Sequence, residues 1–325
     1  MPELPEVEIV RRTLEPHLLG RQITGVKALW EKSLFISEAA RILFASCPAW
    51  TVLALKRRGK LLLVELGREA GGPVQLCAGF HLKMTGQLLV KGAAALPGRH
   101  TRIVLEIEGP AGADLQQRGS GGDTSAGNRL FFDDQRKFGF CRIMLPEEKE
   151  DWAFLRKLGP EPLEIDPLRF ALCFCKQGAD PAGRAGPDGL ANPIEQTGPA
   201  GEAVFLKGKI KSLLLNQEIV AGIGNIYADE ALFRAGIRPD RAACTLSLEQ
   251  LTRLGACVQE VLRRGIAAGG SSIRDYLDAE GRAGAFQEEF QVYGRKGLPC
   301  PVCGSTLTQI KLAGRSTVFC PACQQ

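Results

Sequence analysis

Apolar residues recur at Leu4, Val7, Val10, Leu14 and Leu18, at spacings of three and four that put them on one face of an amphipathic helix. Pro5 falls in the first turn of that helix, where a missing N–H costs little, and Gly20 stops it. From 23 to 145 the pattern changes to short aliphatic and β-branched runs at 23–29, 51–57, 60–66, 75–79, 86–90, 101–107, 129–132 and 141–146. Several are separated by glycine-containing turns, which predicts two packed, mostly antiparallel sheets, a β-sandwich behind the N-terminal helix. Beyond Asp151 helical spacing returns, over 152–158, 167–174, 202–216, 226–235, 247–265 and 273–277, with Gly, Pro or Asn at the boundaries. The expected fold class is α+β, with a sandwich domain over 1–148, a helical domain over 149–289 and a small terminal domain over 290–325.

Two stretches, 111–127 and 178–201, are dominated by Gly, Ala, Pro and small polar residues. They lack the anchors of a tight connection and are expected to be mobile insertions without chemistry. At 45% hydrophobic and 24% charged, the chain as a whole has a globular composition that excludes disorder throughout. No apolar run approaches the roughly 20 residues that a bilayer span requires. The opening Met1-Pro2-Glu3-Leu4-Pro5-Glu6 lacks the basic and apolar regions of a signal peptide, so a cytoplasmic location is expected. The net charge of +5 says little by itself, but 290–325 holds Arg295, Lys296, Lys311 and Arg315 with no Asp or Glu. Such a tail suits a polyanionic partner, although scattered surface cations would look the same.

Of the 11 cysteines, four form two C-x-x-C knuckles, Cys300/Cys303 and Cys320/Cys323. This spacing lets four thiolates surround one zinc ion and leaves no position for water, so the metal is expected to be structural. The other seven, Cys47, Cys77, Cys141, Cys173, Cys175, Cys244 and Cys257, are expected to be reduced thiols, mostly in the core. Between the knuckles, Thr317, Val318 and Phe319 predict a strand of a β-hairpin presenting Lys311 and Arg315, either to phosphate or simply to solvent.

Candidate organic chemistry lies at the chain start. Removal of Met1, expected before a small residue, would leave the secondary amine of Pro2, and an α-amine with a pKa near 8 is partly neutral and nucleophilic at physiological pH. Glu3 and Glu6 cluster beside it, which fits acid/base chemistry and equally the ordinary preference of helix N-termini for carboxylates. Lys60, in Arg57-Arg58-Gly59-Lys60, suits a phosphate clamp at a strand turn; His81 reads as either a core or a capping residue, and Met84 as packing. In Asp134-Gln135-Arg136-Lys137-Phe138-Gly139 a cation and a ring stand two apart, a pair able to enter a base stack or to be plain surface. Gly222-Ile223-Gly224-Asn225 forms a turn into a helix, where N–H groups suit a phosphate.

In this order, PELPEVE at the start, RRGK at 57–60, HLKMTG at 81–86, DxRxFG at 134–139, KLGPEPL at 157–163, AGIGNIYADE at 221–230, QVYGRKG at 291–297 and the cysteine knuckles resemble the bacterial formamidopyrimidine-DNA glycosylase family. The resemblance spans nearly the whole chain except the two insertions. It implies a helix–two-turn–helix in the helical domain, a zinc-finger hairpin, and excision of oxidised purines from double-stranded DNA followed by cleavage at the abasic (AP) site. It further implies Pro2 as the nucleophile, Glu3 as general acid/base, Glu6 as the residue orienting the amine or a water, and Lys60 as a phosphate contact near the lesion. Asn225 and Arg315 are implied as phosphate contacts, and Met84, Arg136 and Phe138 as the trio filling the void left by the flipped nucleotide. His81, His100 and Lys211 are carried over as further DNA contacts, and 269–289 as a lesion-recognition loop. One structural zinc, no nucleotide cofactor, no membrane and a monomeric enzyme complete the expectation. The competing readings are an endonuclease VIII-like enzyme for oxidised pyrimidines, a non-catalytic zinc-dependent DNA-binding protein and a zinc-stabilised structural protein. Leu4 and the Arg136-Lys137-Phe138 turn favour the purine branch.

Overall fold

Helix α1 (Leu4–Leu18) forms where its spacing predicts, and Leu4, Val7, Val10, Leu14 and Leu18 are all buried. A computed structural model of the chain describes residues 1–109, 128–175, 205–273 and 276–325, so the expected insertions at 111–127 and 178–201 lie outside the described residues. Internal contacts divide the described chain into two units, Met1–Arg156 with Gly265–Gln287, and Lys157–Arg264 with Glu288–Gln325.

The first unit carries the strands β1 (Gln22–Ala28), β2 (Leu34–Ile36), β3 (Trp50–Arg58), β4 (Leu61–Gly67), β5 (Leu76–His81), β6 (Gly86–Gly92), β7 (Thr101–Glu108), β8 (Asn128–Asp134) and β9 (Phe140–Met144). Their order is β2-β9-β5-β4-β3-β1-β7-β8-β6. The β1–β3 link consists of two register pairs, Gln22 with Thr51 and Ile23 with Trp50, so the ladder folds into a five-stranded and a four-stranded layer joined at a corner. Side chains alternate between the faces, and Leu62, Val64 and Leu66 of β4, Ala78 and Phe80 of β5, Ile103 and Leu105 of β7, and Leu130 and Phe132 of β8 meet in one core. The Phe80 and Phe132 rings pack at 6.1 Å, and Val7, Val10, Leu14 and Leu18 of α1 join the same cluster. Burial of each such side chain is worth roughly 1.5–3 kcal/mol, which makes this core the frame for everything attached to it.

Three elements, β2, α2 (Glu38–Ala45) and α3 (Pro146–Asp151), are not predicted by the pattern. Strand β2 is only three residues long, too short to show a period, and it pairs parallel to β9. Helix α2 (Glu38–Ala45) follows Ser37, whose hydroxyl accepts the Ala40 amide at 3.2 Å, an N-cap visible in the sequence only as a Ser-Glu pair before apolar text. Short helices α3 (Pro146–Asp151) and α4 (Ala153–Arg156) follow β9. The helix expected at 273–277 is a correction: Ile273 is in a bend, Tyr276 and Leu277 are irregular, and 274–275 lie outside the described residues. Tertiary contacts decide this segment. Tyr276 is buried with its hydroxyl donating to the Glu6 carbonyl at 3.3 Å, and the Ala279 amide donates to Thr13 Oγ1 at 3.2 Å.

The second unit contains α5 (Pro167–Leu172), α6 (Ile210–Leu214), α7 (Asn225–Ala235), most of α8 (Leu248–Ala267) and the hairpin β10 (Thr308–Leu312) and β11 (Arg315–Phe319). Asp166 starts α5 by accepting the amides of Leu168 and Arg169, both at 2.9 Å, and Gly236, at φ +69°, closes α7. The helix expected over 202–216 shrinks to α6, because Phe205 instead bridges to Cys175 in extended form; 202–204 lie outside the described residues. Among the described residues no helix is long and apolar enough to cross a membrane.

Candidate active site, DNA contacts and metal centre

At the start of the first unit, Pro2, Glu3 and Glu6 are buried, the two carboxylates at 2% and 1% exposure. Glu6 accounts for its own burial: Oε2 accepts the Glu3 amide at 2.8 Å and Oε1 accepts the Ser271 amide at 2.9 Å. The first bond caps α1, and the second ties it to the loop that follows α8. Gly270, beside Ser271, has φ +83°, and a Cβ there would stand 2.9 Å from the Tyr276 ring and 3.1 Å from Glu6 Cγ. Only glycine lets the backbone come this close to the carboxylate. Sequence reading does not single out Ser271, Tyr276 or Gly270 as partners of Glu6, since 265 residues separate Glu6 from Ser271.

Lys60 is largely buried in the turn between β3 and β4, next to Gly59 at φ +57°. Arg57 braces this turn by donating to the Gly59 carbonyl at 3.1 Å and to Glu8 at 3.3 Å. Burial pushes the Glu8 carboxyl up, but the surrounding Arg11, Arg12 and Arg57 guanidiniums outweigh it and hold Glu8 below its ordinary range. Across the sheet, His81 Nδ1 accepts the Lys83 amide at 3.0 Å, and its ring packs on Phe140 and Phe154. Burial, then the charges of Lys83 and Lys60, push His81 down to about 3, so it is neutral. The structure thus joins the two readings left open for it, core and cap.

Met84 and Phe138 are large apolar side chains left 39% and 55% exposed, and the Arg136 guanidinium lies 5.0 Å from the Phe138 ring centre. One buried carboxylate organises them. Asp134 Oδ1 accepts from Thr85 Oγ1 and from the Arg136 amide at 3.1 Å, while Oδ2 accepts the Gly139 amide at 2.7 Å. The turn after β5 and the turn after β8 are thereby locked together, in line with the pairing of Gly86 with Asp134. Asp134 and Thr85 were missed as functional residues; the available signal was the Asp two positions before Arg136, the spacing of an Asx turn. His100 lies at the same place, its carbonyl accepting the Asp134 amide at 2.9 Å.

In the second unit, Asn225 is the first residue of α7, and the preceding turn is stitched by Gln217. Its Nε2 donates to the carbonyls of Leu215 at 3.0 Å and Ile223 at 2.9 Å, and its Oε1 accepts the Gly222 amide at 2.9 Å. Asn225 Nδ2 donates to the Ser316 carbonyl at 3.0 Å. Lys211, expected among the DNA contacts, has 0% exposure; its ammonium lies 2.6 Å from Asp229 Oδ1 and donates to Thr317 Oγ1 at 2.7 Å and the Ser316 carbonyl at 3.3 Å. A side chain so enclosed braces α6, α7 and β11 from within, and this geometry corrects the expected direct contact. Asp229 also accepts the Val318 amide at 3.2 Å; burial pushes its carboxyl up to about 7 despite the downward pull of Lys211. Arg315 is exposed at the start of β11, directly after the two-residue turn of Ala313 and Gly314, both at positive φ as a tight hairpin requires.

The Sγ atoms of Cys300, Cys303, Cys320 and Cys323 lie within 4.8 Å of one another, with Cys300–Cys323 at 3.9 Å and Cys303–Cys320 at 3.5 Å. A tetrahedron with Zn–S bonds of about 2.3 Å has edges of about 3.8 Å, so the cage fits one zinc ion. The Cys323 amide points at Cys320 Sγ at 3.4 Å, and Phe233, Val292, Leu307 and Val318 pack around Cys300 and Cys320. Four thiol ligands make the site structural. Of the other cysteines, Cys77, Cys141 and Cys175 are buried and Cys47, Cys173 and Cys257 half-buried, whereas Cys244 is exposed and departs from the core expectation.

Family models match along the chain: the formamidopyrimidine-DNA glycosylase N-terminal domain over 1–141, the formamidopyrimidine-DNA glycosylase H2TH domain over 186–276, and the zinc finger found in FPG and IleRS over 297–325. The formamidopyrimidine-DNA glycosylase of Desulfitobacterium hafniense is 40% identical over 331 aligned residues, covering 100% of both chains. That of Nitratidesulfovibrio vulgaris is 47% identical over 246 residues, 76% of this chain and 55% of the relative's own length. A variant of the Lactococcus lactis FPG, solved with Fapy-dG-containing DNA, superposes with a TM-score of 0.77 at 30% identity over 100% of both chains. The zinc-finger match and the four-thiol cage agree on one structural zinc ion. With sandwich, helical region and finger each matched in chain order, and full-length relatives of the same kind, this chain belongs to the formamidopyrimidine-DNA glycosylase family.

Proposed function

We propose that this protein excises oxidised purines, 8-oxoguanine and formamidopyrimidines, from duplex DNA and then cleaves the strand at the abasic site. The observation that carries this reading is the buried Pro2-Glu3-Glu6 start, with Glu6 tied to the amides of Glu3 and Ser271. The lesion has to leave the stack before its sugar can be reached, and the exposed Met84 and Phe138, with Arg136, replace the lost stacking and meet the orphaned base. The Pro2 nitrogen, unblocked by loss of Met1, attacks C1′. The N–C1′ bond forms, the glycosidic bond breaks, and the purine leaves with a proton while the sugar ring opens to an iminium. Glu3 protonates the sugar and serves the later proton transfers; Glu6 holds the amine in line. The cationic nitrogen acidifies C2′–H, and loss of that proton expels the 3′ phosphate by β-elimination. A second, δ-elimination expels the 5′ phosphate, so the polymer supplies both leaving groups.

Lys60, Asn225 and Arg315 hold phosphates around the lesion, with His81 and His100 beside the strand ends that carry the wedge. Lys211 acts through the hairpin it braces. A zinc ion held by Cys300, Cys303, Cys320 and Cys323 would keep that hairpin folded and, with all four positions taken by thiolates, would have none left for substrate. The Fapy-dG DNA bound by the Lactococcus lactis relative is in line with the purine branch, but the same relative is also solved with DNA containing an oxidised pyrimidine, so the choice of branch rests on Leu4 and the Arg136-Lys137-Phe138 turn. The enzyme is taken to act as a single chain in the cytoplasm.

Borohydride trapping on duplexes carrying 8-oxoguanine, a formamidopyrimidine or thymine glycol opposite cytosine tests the reading. The expected result is a covalent adduct at Pro2 with the two purine lesions, abolished by a blocked or extended N-terminus. An adduct located solely on a lysine side chain, or preference for thymine glycol, would overturn it.

A further inference from the structure

Between Arg136 and Phe138 stands Lys137, whose backbone lies in the left-handed region at φ +60°. A residue with a Cβ stays there only when its surroundings hold it. Asp134 fixes both ends of the turn through the amides of Arg136 and Gly139, which leaves the middle residue to another partner. That partner is Trp30. The Lys137 ammonium sits 3.9 Å from the centre of the half-buried indole ring. Trp30 is itself anchored to the frame of the turn: its amide and that of Leu29 donate to the Arg102 carbonyl at 3.1 and 2.7 Å, and Arg102 Nε donates to the Asp134 carbonyl at 2.8 Å.

We propose that Trp30 is a positioning residue that clamps Lys137, keeps the turn left-handed, and so presents Arg136 and Phe138 as a preformed wedge. The inference rests on the functional reading above, because it requires that these two side chains enter duplex DNA. In this proposal Trp30 acts through Lys137 and not on the reacting atoms or the lesion. Without its ring, Lys137 leaves the left-handed region, the stacked Arg136–Phe138 pair dissolves into several conformers, and insertion has to reorder them. Leucine removes the π-face and phenylalanine keeps it, which separates the clamp from mere apolar packing.

Single-turnover excision of 8-oxoguanine opposite cytosine, alongside cleavage of a single-stranded abasic oligonucleotide that has no stack to wedge, tests the clamp. Trp30→Leu is expected to slow duplex excision roughly 3- to 10-fold, the size of one partly desolvated cation–π contact. Trp30→Phe should stay within about twofold of the parent, and both variants should cleave the single strand within about twofold. Lys137→Met should cost about as much as Trp30→Leu, and the double variant no more than either, as expected for one shared interaction. An unchanged duplex rate, an equal loss on the single strand, or additive losses in the double variant would each overturn the clamp. Failure of the parent protein to excise any lesion would instead remove the functional reading beneath it.

Discussion

At Glu6, His81 and Gly270, single side chains decide what the surrounding structure tolerates. Two expectations belong at this scale. His81 is held near 3 when folded against an ordinary value of 6.5, so between those values the unfolded chain binds a proton that the folded chain refuses. The stability contributed by its neutral ring is therefore full above pH 6.5 and is lost as pH falls toward 3. Urea midpoints measured from pH 7 to pH 4 should fall more steeply for the parent than for His81→Gln; parallel slopes would mean that another group dominates. For Gly270→Ala, a positive φ and a Cβ 2.9 Å from Tyr276 combine to cost about 1–3 kcal/mol in thermal unfolding. Because that Cβ also meets Glu6, borohydride trapping should slow as well; a destabilised variant that trapped at full rate would detach Glu6 from this loop. His81 was legible in the sequence only as an ambiguity. Its neighbours Phe140 and Phe154 come from distant positions, and they settle its protonation.

Among elements, α1 was written in its period and most strands in short apolar runs, whereas α2, α3, β2 and the segment around Tyr276 were not. Reading the chain works where a continuous apolar run is buried in the large core, as for β4 and β7, and fails where a segment is too short or is shaped by one remote partner. The buried Lys211–Asp229 pair is of the second kind. Sequence analysis placed Lys211 on DNA, but its ammonium joins α6, α7 and β11 with no exposed surface. Lys211→Met should cost about 3–5 kcal/mol by stranding Asp229. Asp229 is already raised to about 7, so the loss should be least in acid, where the carboxyl is neutral, and should grow as pH rises to 7 and above. Denaturant titrations at pH 5 and pH 8 check this, and a pH-independent difference would count against an ionised Asp229 in the parent protein.

For the molecule as a whole, the four-cysteine finger makes an independent test possible. Its hairpin rests on Cys300 and Cys320 packed with Phe233, Val292, Leu307 and Val318, so removal of the metal takes away both the cage and the order of that small core. Chelation of zinc, or Cys320→Ser, should weaken duplex binding at least tenfold, about 1.4 kcal/mol. Cleavage of a single-stranded abasic substrate should be affected much less, since Pro2, Glu3 and Glu6 belong to the other unit. Fluorescence anisotropy with a labelled duplex, beside a cleavage assay, separates the two effects. Binding unchanged in demonstrably metal-free protein would remove the finger from the DNA interface.

By itself the sequence determined the amphipathic first helix, most strands of the sheet, the four-cysteine cage and the imino acid at position 2, because each is encoded locally: a period of 3.6, short aliphatic and β-branched runs, paired C-x-x-C, a proline beside Met1. Only the tertiary structure decided that Glu6 reaches Ser271, that Asp134 gathers Thr85, Arg136 and Gly139, that Lys211 is interior, and that Lys137 rests on Trp30. Most of these contacts join residues far apart in the chain, and their energies depend on burial and angle, neither of which a linear pattern carries.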